Sequence, residues 1–520
     1  MQLQIELDGK VLSRARLSRD PRFDGKFFIA VRGSGVYCRP ICPSPTASEK
    51  NVRYFLTAAA AAEAGFRPCL RCRPECSPGT PAWIGTPNTV SRALRLIGEN
   101  GLEHGVEGLA DQLGVGSRHL RRLFVRHLGA TPVAVAHTRR LHFAKSLIDQ
   151  TQLSMQEIAI AAGFGCVRRF NAAMQKTYKR TPTQIRRLSH QTGVLPENHY
   201  LFRLRYRPPY DWNGMLEFLK PRATPGVEEV ENGIYRRSIS FRGAAGQFEV
   251  SHDENNHSLN VRVQFADPKA LYFIIERIRA MFDLNADWIA IAKVLNADPV
   301  LVAKIKANPG LRVPGSWNGF ELGVRAILGQ QITMRGATTL AGRLVKKFGH
   351  SFSSANGLTQ IFPEPEILAA ADVASIGLTQ ARARTIQAFA RFMLHPQHSV
   401  KELADSNEFL EQLCRIPGLG QWTAQYFAMR ALGDPDAFPS GDLGLLRELG
   451  LKSAHELERR AEVWRPWRAY AAMYIWSRSA GNSTCETTHS GRSGQSGKLR
   501  HKSQSEFANR RFSDQANGGN

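Results

Sequence analysis

A chain of 520 residues exceeds what a single hydrophobic core normally fills, so we expect several domains. Hydrophobic residues make up 42% of the chain, which excludes a largely disordered protein. The 69 Lys and Arg outnumber the 45 Asp and Glu, and the resulting net charge of +24 favours a polyanionic partner such as nucleic acid.

The sequence disfavours a membrane or secreted protein. No run of about 18 apolar residues is present, so no membrane partner is predicted. The N-terminal stretch Met1–Glu6 lacks the basic and then apolar order of a secretory signal. Four of the eight cysteines lie in one cluster, which argues against a disulfide scaffold. We therefore expect a protein of the reducing cytoplasm.

The cluster consists of two short-spaced cysteine pairs within a small unit, residues 1–80. The pairs are Cys38 with Cys42 and Cys69 with Cys72, a pattern typical of one Zn²⁺ bound by four thiolates. Neighbouring arginines favour the thiolate form, namely Arg39, Arg67, Arg71 and Arg73. Such a centre is either a structural staple or a nucleophile, and the spacing leaves both possibilities open.

Two local features complete this first unit. The alanine-rich stretch Ala58–Ala64 predicts a helix that ends before the second cysteine pair. The stretch Ser77–Pro81 is rich in Pro and Gly and predicts a linker to the next domain.

Residues 84–190 have helical periodicity and contain two helix-turn-helix patterns. The first covers Gly108–Leu120, where we expect Ser117 to cap the second helix, and the other covers Ser154–Phe170. The second helix of each pattern carries basic side chains that suit contacts to phosphates and base edges. These are Arg118, Arg121, Arg122, Arg168 and Arg169.

These motifs, together with the closing Tyr178–Pro182, resemble the AraC/XylS family of transcription activators. The resemblance implies that both motifs enter adjacent major grooves of double-stranded promoter DNA and that RNA polymerase is a further partner. A helical scaffold with solvated basic faces is the alternative interpretation.

The first unit is similar to the N-terminal domain of the Ada family of methylation-response proteins, through Phe27–Arg32, Gly35–Pro40 and Gly65–Cys72. This resemblance implies that Cys38 irreversibly takes a methyl group from a DNA phosphotriester, while the other three cysteines complete the zinc site. Loss of one negative charge would strengthen DNA binding and switch transcription. The Pro-Cys-His-Arg signature of that family's guanine-repair domain is absent, so no such repair is predicted.

The second half of the chain changes from strands to helices. Alternation of apolar and polar residues at Leu201–Tyr206 and Leu259–Phe265 predicts strands, and we place an α+β subdomain at residues 196–300. Residues 301–480 have many short amphipathic segments and predict an all-α domain.

Within this all-α domain, Leu413–Ala424 predicts a helix, a Pro-Gly-x-Gly hairpin and a second helix. The amides near Gly418 and Gly420 suit a DNA phosphate, with a monovalent cation as a possible mediator. Asp442 follows Gly420 by 22 residues.

This order of motifs is similar to the helix-hairpin-helix superfamily of base-excision glycosylases. Phe320–Gln331 and Arg465–Ala471 resemble its AlkA branch, so the second half resembles a 3-methyladenine DNA glycosylase II with a saddle-like first subdomain. The resemblance implies that Asp442 stabilises an oxocarbenium-like sugar and helps water to attack.

The same resemblance implies further site residues. Trp422, Tyr426 and Trp476 would form the walls of a pocket where a flipped cationic base stacks. Strand-cutting relatives have a lysine where this chain has Trp422, so hydrolysis without strand cleavage is expected. Gln331 occupies the wedge position, where the best-known AlkA member has leucine. Alternatively, Asp442 is only a helix N-cap, the tryptophans are core residues, and Asp436 is the competing carboxylate.

The sequence therefore predicts a mainly α multidomain protein with α+β parts and a disordered basic tail at residues 481–520. We expect a bifunctional response to DNA alkylation: a suicide methyltransferase that activates transcription, joined to a DNA-3-methyladenine glycosylase II. The alternative is a methylation-responsive regulator whose C-terminal half binds DNA without catalysis. We also expect one zinc ion per chain, a monomer, and a bacterial cytoplasmic location at the nucleoid.

Overall fold

A computed structural model describes residues 9–79, 88–98, 104–188, 196–354, 356–395 and 406–477. The predicted basic tail, residues 481–520, lies outside the described residues. Those that are described belong to one compact unit. Among them, no helix combines the length and the apolarity needed to cross a membrane.

A four-stranded sheet organises the N-terminal unit. Its elements are α1 (Gly9–Leu17), β1 (Phe28–Val31), β2 (Val36–Cys38), β3 (Val52–Phe55), α2 (Ala58–Glu63) and β4 (Arg67–Pro68). The strand order is β3-β1-β2-β4, with β2 parallel to β4 and the other pairs antiparallel. The predicted alanine-rich helix is present as α2, and the Thr57 side chain caps it.

The next unit is helical and contains both predicted helix-turn-helix motifs. Its helices are α3 (Asn88–Gly98), α4 (Gly105–Asp111), α5 (Ser117–Leu128), α6 (Pro132–Gln150), α7 (Met155–Ala161), α8 (Val167–Tyr178) and α9 (Pro182–Arg187). Helices α4 and α5 form the first motif, α7 and α8 form the second, and the long helix α6 joins them.

The predicted cap of α5 is wrong by one position. Gly116 is the N-cap residue and offers no side-chain hydrogen bond, while Ser117 is the first residue of the helix. The helical bonding starts early because the amide of Leu120 donates to the Gly116 carbonyl at 3.0 Å. Helix α7 follows the usual rule, since Ser154 and Glu157 form a reciprocal capping box.

A five-stranded antiparallel sheet forms the core of the third unit. The elements are β5 (His199–Arg205), α10 (Trp212–Leu219), β6 (Glu228–Glu231), β7 (Ile234–Phe241), β8 (Ala244–Asp253), β9 (Ser258–Phe265), α11 (Leu271–Met281) and α12 (Trp288–Leu295), and the strand order is β5-β9-β8-β7-β6. On β5, Phe202 and Leu204 are buried while Leu201 and Arg203 are exposed. The predicted alternation is confirmed.

The last unit is helical apart from one pair of two-residue strands. Its elements are α13 (Pro299–Ala307), α14 (Gly319–Leu328), α15 (Met334–Phe348), β10 (His350–Ser351), β11 (Gln360–Ile361), α16 (Pro365–Ala370), α17 (Gln380–Leu394), α18 (Ser406–Cys414), α19 (Gln421–Arg430), α20 (Leu443–Glu448), α21 (Ala454–Ala461) and α22 (Arg468–Trp476). These helices pack around a continuous apolar core that includes Phe320, Phe389 and Phe427.

A buried ion cluster joins the antiparallel sheet to this helical core. Arg237 on β7 contacts Glu228 on β6 at 3.4 Å and Glu321 on α14 at 2.6 Å. Arg325, one turn after Glu321, contacts the same two carboxylates at 2.7 and 3.1 Å. Burial alone would raise the pKa of Glu228, but the charges of Arg325 and Arg237 outweigh it and hold that pKa below its ordinary value.

Replacement of Arg237 by methionine should strongly destabilise the sheet–helix junction. The change leaves two buried carboxylates with Arg325 as their remaining cation, and breaking a buried ion pair in this way costs about 3–5 kcal/mol. Arg236→Met is the matched control: its ion pairs with Glu229 and Glu249 are more exposed, so a loss of about 0–1 kcal/mol is expected. Urea unfolding followed by tryptophan fluorescence measures both changes.

The same unfolding measurement at acid pH gives a second test of the ion cluster. Because the folded pKa of Glu228 is lowered, its contribution to stability is complete above the ordinary pKa of 4.5 and is lost as the pH falls towards the lowered value. The wild-type protein should therefore lose more stability below pH 4.5 than Arg237→Met does. Equal acid sensitivity in the two proteins would contradict the assignment.

Candidate metal centre and aspartate site

The register of the N-terminal sheet brings the four predicted cysteines together. Cys38 ends β2, and the parallel pairing of Tyr37 with Pro68 places Cys69 directly after β4 beside it. The amide of Cys69 donates to the Tyr37 carbonyl at 3.0 Å and fixes this position.

The four sulfur atoms converge on one point. All of them lie within 4.8 Å of one another, and only Cys42 of the four is more than slightly exposed. A tetrahedral zinc ion with Zn–S bonds of about 2.3 Å requires sulfurs about 3.8 Å apart. The donor set and its geometry therefore fit a four-thiolate zinc site.

The arginines beside this quartet have different roles. Arg39 is buried: its backbone amide points at the Cys72 sulfur at 3.4 Å, and its guanidinium donates to the Cys72 carbonyl and to Asp24. Arg73 is ion-paired with Glu75 and Asp149. The charges of these two arginines are thus offset by carboxylates, while Arg71 is exposed and Arg67 is half-buried.

A cavity of about 510 Å³ opens beside the cysteines. Cys38, Cys42 and Cys69 contribute to its wall, which is otherwise rich in basic side chains: Arg16, Arg19, Arg67, Arg71 and Arg180. Arg180 comes from the helix-turn-helix unit, two residues after the end of α8, so the wall is shared between two units. A cavity with this lining suits a phosphate group.

The predicted DNA-contacting arginines lie on the solvent side of their helices. Arg118, Arg121 and Arg122 on α5 and Arg168 and Arg169 on α8 are all exposed. The opposite faces of both helices are buried, through Leu120 and Phe124 in α5 and Phe170 and Met174 in α8. Arg121 contacts Glu107 at 2.9 Å, and Arg122 contacts the His119 ring at 3.1 Å.

The predicted hairpin precedes α19. Gly418 has a φ of +91°, and a β-carbon there would lie 2.5 Å from the Thr385 hydroxyl, so glycine is required by both backbone and space. The Gln330 side chain donates to the Gly418 carbonyl at 2.9 Å. Gly420 is the N-cap of α19, and apart from its chain neighbours no described residue would lie within 4 Å of a β-carbon there.

Gln331 lies in the turn between α14 and α15, beside this hairpin. Its backbone is left-handed, with a φ of +57°, and its side chain is exposed. Arg382 donates to the Gln330 carbonyl at 2.7 Å and holds the turn in place. The turn therefore presents Gln331 to solvent on a fixed backbone.

Asp442 accepts hydrogen bonds from two indoles and a backbone amide. One carboxylate oxygen accepts from Trp476 Nε1 at 3.0 Å and from the Leu445 amide at 2.9 Å. The other accepts from Trp422 Nε1 at 2.9 Å. Asp442 is thus the N-cap of α20 and also the residue that brings the two tryptophans together, so the cap and the site are compatible.

The predicted aromatic walls lie around this carboxylate. The rings of Trp422 and Tyr426 are stacked, with centroids 5.1 Å apart and planes at 10°. Arg430 donates to the Tyr426 hydroxyl at 2.6 Å. Burial would raise the pKa of Tyr426, but the charges of Arg430 and Arg222 outweigh burial and leave this pKa below its ordinary value. Trp422, Tyr426 and Trp476 are half-buried rather than fully enclosed.

The competing carboxylate, Asp436, forms ion pairs with two arginines. It pairs with Arg468 at 2.9 Å and with Arg465, both near the start of α22. The indole donors to Asp442 are a feature of the structure that the sequence does not predict, since the sequence indicates only aromatic walls for a stacked base. The spacing of these residues along the chain carries no signal of such a contact.

Four family models match successive parts of the chain. They are described as the metal binding domain of Ada over residues 12–75, a helix-turn-helix domain over residues 109–188, the AlkA N-terminal domain over residues 201–318, and an HhH-GPD superfamily base excision DNA repair protein over residues 324–468.

Known proteins resemble most of the chain or one of its parts. A probable bifunctional transcriptional activator/DNA repair enzyme AlkA of Mycobacterium tuberculosis is 40% identical over 474 residues, which cover 89% of this chain and 95% of the relative. DNA-3-methyladenine glycosylase 2 of Escherichia coli is 31% identical and covers 53% of this chain and 96% of its own length. The bifunctional transcriptional activator/DNA repair enzyme Ada of Escherichia coli is 41% identical over 23% of this chain and 32% of its own length.

The metal centre predicts one bound ion per chain. Cobalt substitution should give the intense thiolate-to-metal absorption of a four-sulfur site. Cys69→Ser removes a ligand, so zinc affinity should fall by more than about 100-fold, since mutation of a residue that only supports a ligand costs about 10–100-fold. Cys166→Ser is the matched control, because Cys166 is exposed and lies outside the cluster. An equal loss in both variants would contradict the ligand set.

Proposed function

The chain belongs to the family of bifunctional transcriptional activators and DNA repair enzymes, and we propose that its two halves carry separate chemistry on alkylated DNA. The second half removes N-alkylated purines of the 3-methyladenine type by hydrolysis, with Asp442 as the catalytic carboxylate. The first half accepts a methyl group on Cys38 and activates transcription. The clamping of Asp442 between Trp422 and Trp476 is the observation that carries the repair function.

The glycosylase chemistry follows from the charge of the substrate. An N-alkylated purine is cationic, so its glycosidic bond breaks with the electron pair leaving on a neutral base. The stacked faces of Trp422 and Tyr426 attract the cationic base, which is worth about 0.5–2 kcal/mol. Asp442 faces the positive charge that develops on the sugar, and water then adds to the anomeric carbon and gives its proton to the carboxylate or to solvent.

The hydrogen bonds to Asp442 fix the position of its carboxylate before the glycosidic bond breaks. Because three donors hold the carboxylate, it does not need to reorganise when charge appears on the sugar. Trp422 supplies no amine, so no covalent imine forms with the sugar and the strand stays intact. This supports hydrolysis without strand cleavage.

The hairpin and the Gln331 turn support a grip on the DNA around the extruded base. Amides near Gly418 and Gly420 and the N-terminus of α19 suit a backbone phosphate, and a monovalent cation at the hairpin would mediate this contact. Gln331 is exposed on a fixed left-handed backbone, which supports its insertion into the gap left by the base.

Methyl transfer uses Cys38 and the basic cavity. Zinc, when bound by the four cysteines, keeps them deprotonated at neutral pH. Arg67, Arg71 and Arg180 attract the backbone phosphates that flank a phosphotriester. The Cys38 sulfur then bonds to the methyl carbon, the methyl–oxygen bond breaks, and its electron pair stays on the phosphate, which becomes an ordinary diester.

The transfer is coupled to transcription through charge. One thiolate becomes a neutral thioether, so repulsion between the metal centre and DNA decreases. The arginines on α5 and α8 then hold the promoter, and the activator function requires contact with RNA polymerase. We further propose that the protein acts as a monomer at the nucleoid in the cytoplasm, where this DNA partner is found.

Replacement of Asp442 by asparagine tests the repair function. Asparagine keeps the N-cap of α20 but not the negative charge, so excision from 3-methyladenine DNA should fall by about 10²–10⁴-fold in single-turnover assays. Asp436→Asn is the control for loss of a carboxylate nearby. Unchanged excision in Asp442→Asn would remove the catalytic role, and no excision by the wild type would favour a regulator that only binds DNA.

Mass spectrometry tests the acceptor. After incubation with DNA that carries methyl phosphotriesters, the peptide with Cys38 should gain about 14 Da, the mass that methylation of a thiol adds. Cys38→Ala should lose the adduct, whereas Cys166→Ser should keep it. An adduct on Cys42 instead would move the acceptor, and no adduct at all would make the zinc site structural.

A further inference from the structure

A desolvated ion pair connects the metal-binding unit to the glycosylase half. Lys26, in the loop before β1, contacts Asp287 at 2.6 Å, and each side chain is only 11% exposed. Asp287 is the N-cap of α12 and accepts from the Ala290 amide. If the two surfaces separated, Lys26 and Asp287 would lose their mutual contact and either stay buried without a partner or return to water.

The predicted linker reinforces this contact. Thr80 and Pro81 lie outside the described residues, but in the described part of this linker Pro78 is buried and Ser77 and Gly79 are half-buried. The Gly79 amide donates to the Asn285 side chain at 3.0 Å. Arg207, a fully buried residue after β5, donates to the Gly79 carbonyl and to the Asn285 carbonyl. Both backbone groups of Gly79 are therefore used across the contact.

The two surfaces approach too closely for side chains at two positions. A β-carbon on Gly25 would lie 3.1 Å from the Arg207 guanidinium across the contact, and 2.2 Å from the carbonyl oxygen of Pro78 in its own unit. A β-carbon on Gly79 would lie 2.6 Å from the Asn285 side chain. Glycine at position 79 therefore lets the backbone approach Asn285 closely, and glycine at position 25 lets its loop pack against Pro78.

The helix-turn-helix unit makes contacts of its own with the same half. Phe143 on α6 packs edge-on against Tyr272 on α11, with ring centroids 4.9 Å apart. At the end of α6, the Gln150 side chain accepts from the Arg203 amide on β5 at 3.0 Å. The regulatory half therefore touches the glycosylase half through both of its units.

The ion pair also lies close to the metal centre along the chain. Asp24, two residues before Lys26, pairs with Arg39, and Arg39 donates to the Cys72 carbonyl at 3.0 Å. One short loop thus holds the metal centre on one side and the glycosylase half on the other.

We propose that the metal-binding unit is permanently docked on the glycosylase half, through an interface formed by Gly25, Lys26 and Gly79 on one side and Arg207, Asn285 and Asp287 on the other. The two halves are then one rigid body and not two enzymes on a tether. Both DNA-reactive centres approach a duplex in a fixed relative orientation. This inference concerns the interface alone and holds whether or not Cys38 is the methyl acceptor.

Hydrogen exchange of the Gly79 amide in the full-length protein tests the docking, because its acceptor lies across the interface. In the wild type this amide should be protected. Lys26→Met and Asp287→Asn each leave one buried charge without a partner, so each should accelerate its exchange at least tenfold. The double variant removes both charges and should return to within about threefold of the wild type, since replacing both partners is nearly neutral.

The variants have matched controls. Asparagine keeps the cap of α12, so Asp287→Asn separates the ion pair from the helix, and Lys50→Met removes an exposed lysine of the same unit. Gly79→Ala provides a steric test without any charge change, and exchange of residue 79 should again accelerate at least tenfold. Normal zinc content and excision rates in these variants show that both halves remain folded.

Three results would overturn the proposal. They are an unprotected Gly79 amide in the wild type, single variants that exchange like the Lys50→Met control, and a double variant that is as exposed as the single ones.

Discussion

A charged side chain that folding removes from water requires a partner, because an isolated buried charge costs more than most contacts return. This constraint operates at each junction of the chain. Arg237 and Glu321 join the antiparallel sheet to the helical core. Lys145 on α6 pairs with Glu75, which follows the second cysteine pair, at 3.2 Å. Lys26 and Asp287 join the metal-binding unit to the glycosylase half. In a chain with a net charge of +24, the carboxylates at these three junctions are each at most 11% exposed.

Local pattern was sufficient to predict much of this architecture. The alternation around Phe202, the helix at Ala58 and both helix-turn-helix motifs follow from signals within a few residues of each other. The cysteine quartet was predictable for the same reason, since each pair is short-spaced. Ser117 shows where such rules end: a good capping residue lies inside the helix because Gly116 already starts its bonding.

The contacts that local pattern missed all join distant parts of the chain. Asp442 accepts from Trp422 and Trp476, which lie on different helices, and the chain spacing does not reveal which polar atom each indole meets. Likewise, Ser77–Gly79 has the composition of a linker, and only the tertiary fold shows that the Gly79 amide donates to the Asn285 side chain. The family resemblance supplied the residues of the site, while their hydrogen bonds came from the structure.

Gly79 of the docking interface has a consequence for the comparison of related sequences. A metal-binding unit that works without a glycosylase half has no Asn285 side chain against position 79. Selection can then place ordinary residues there, because the backbone at position 79 needs no left-handed conformation. We therefore expect glycine at position 79 and asparagine at position 285 to occur together in fused chains whose halves are docked. A fused chain without that pair would have two halves that the chain connects but that are not docked on each other.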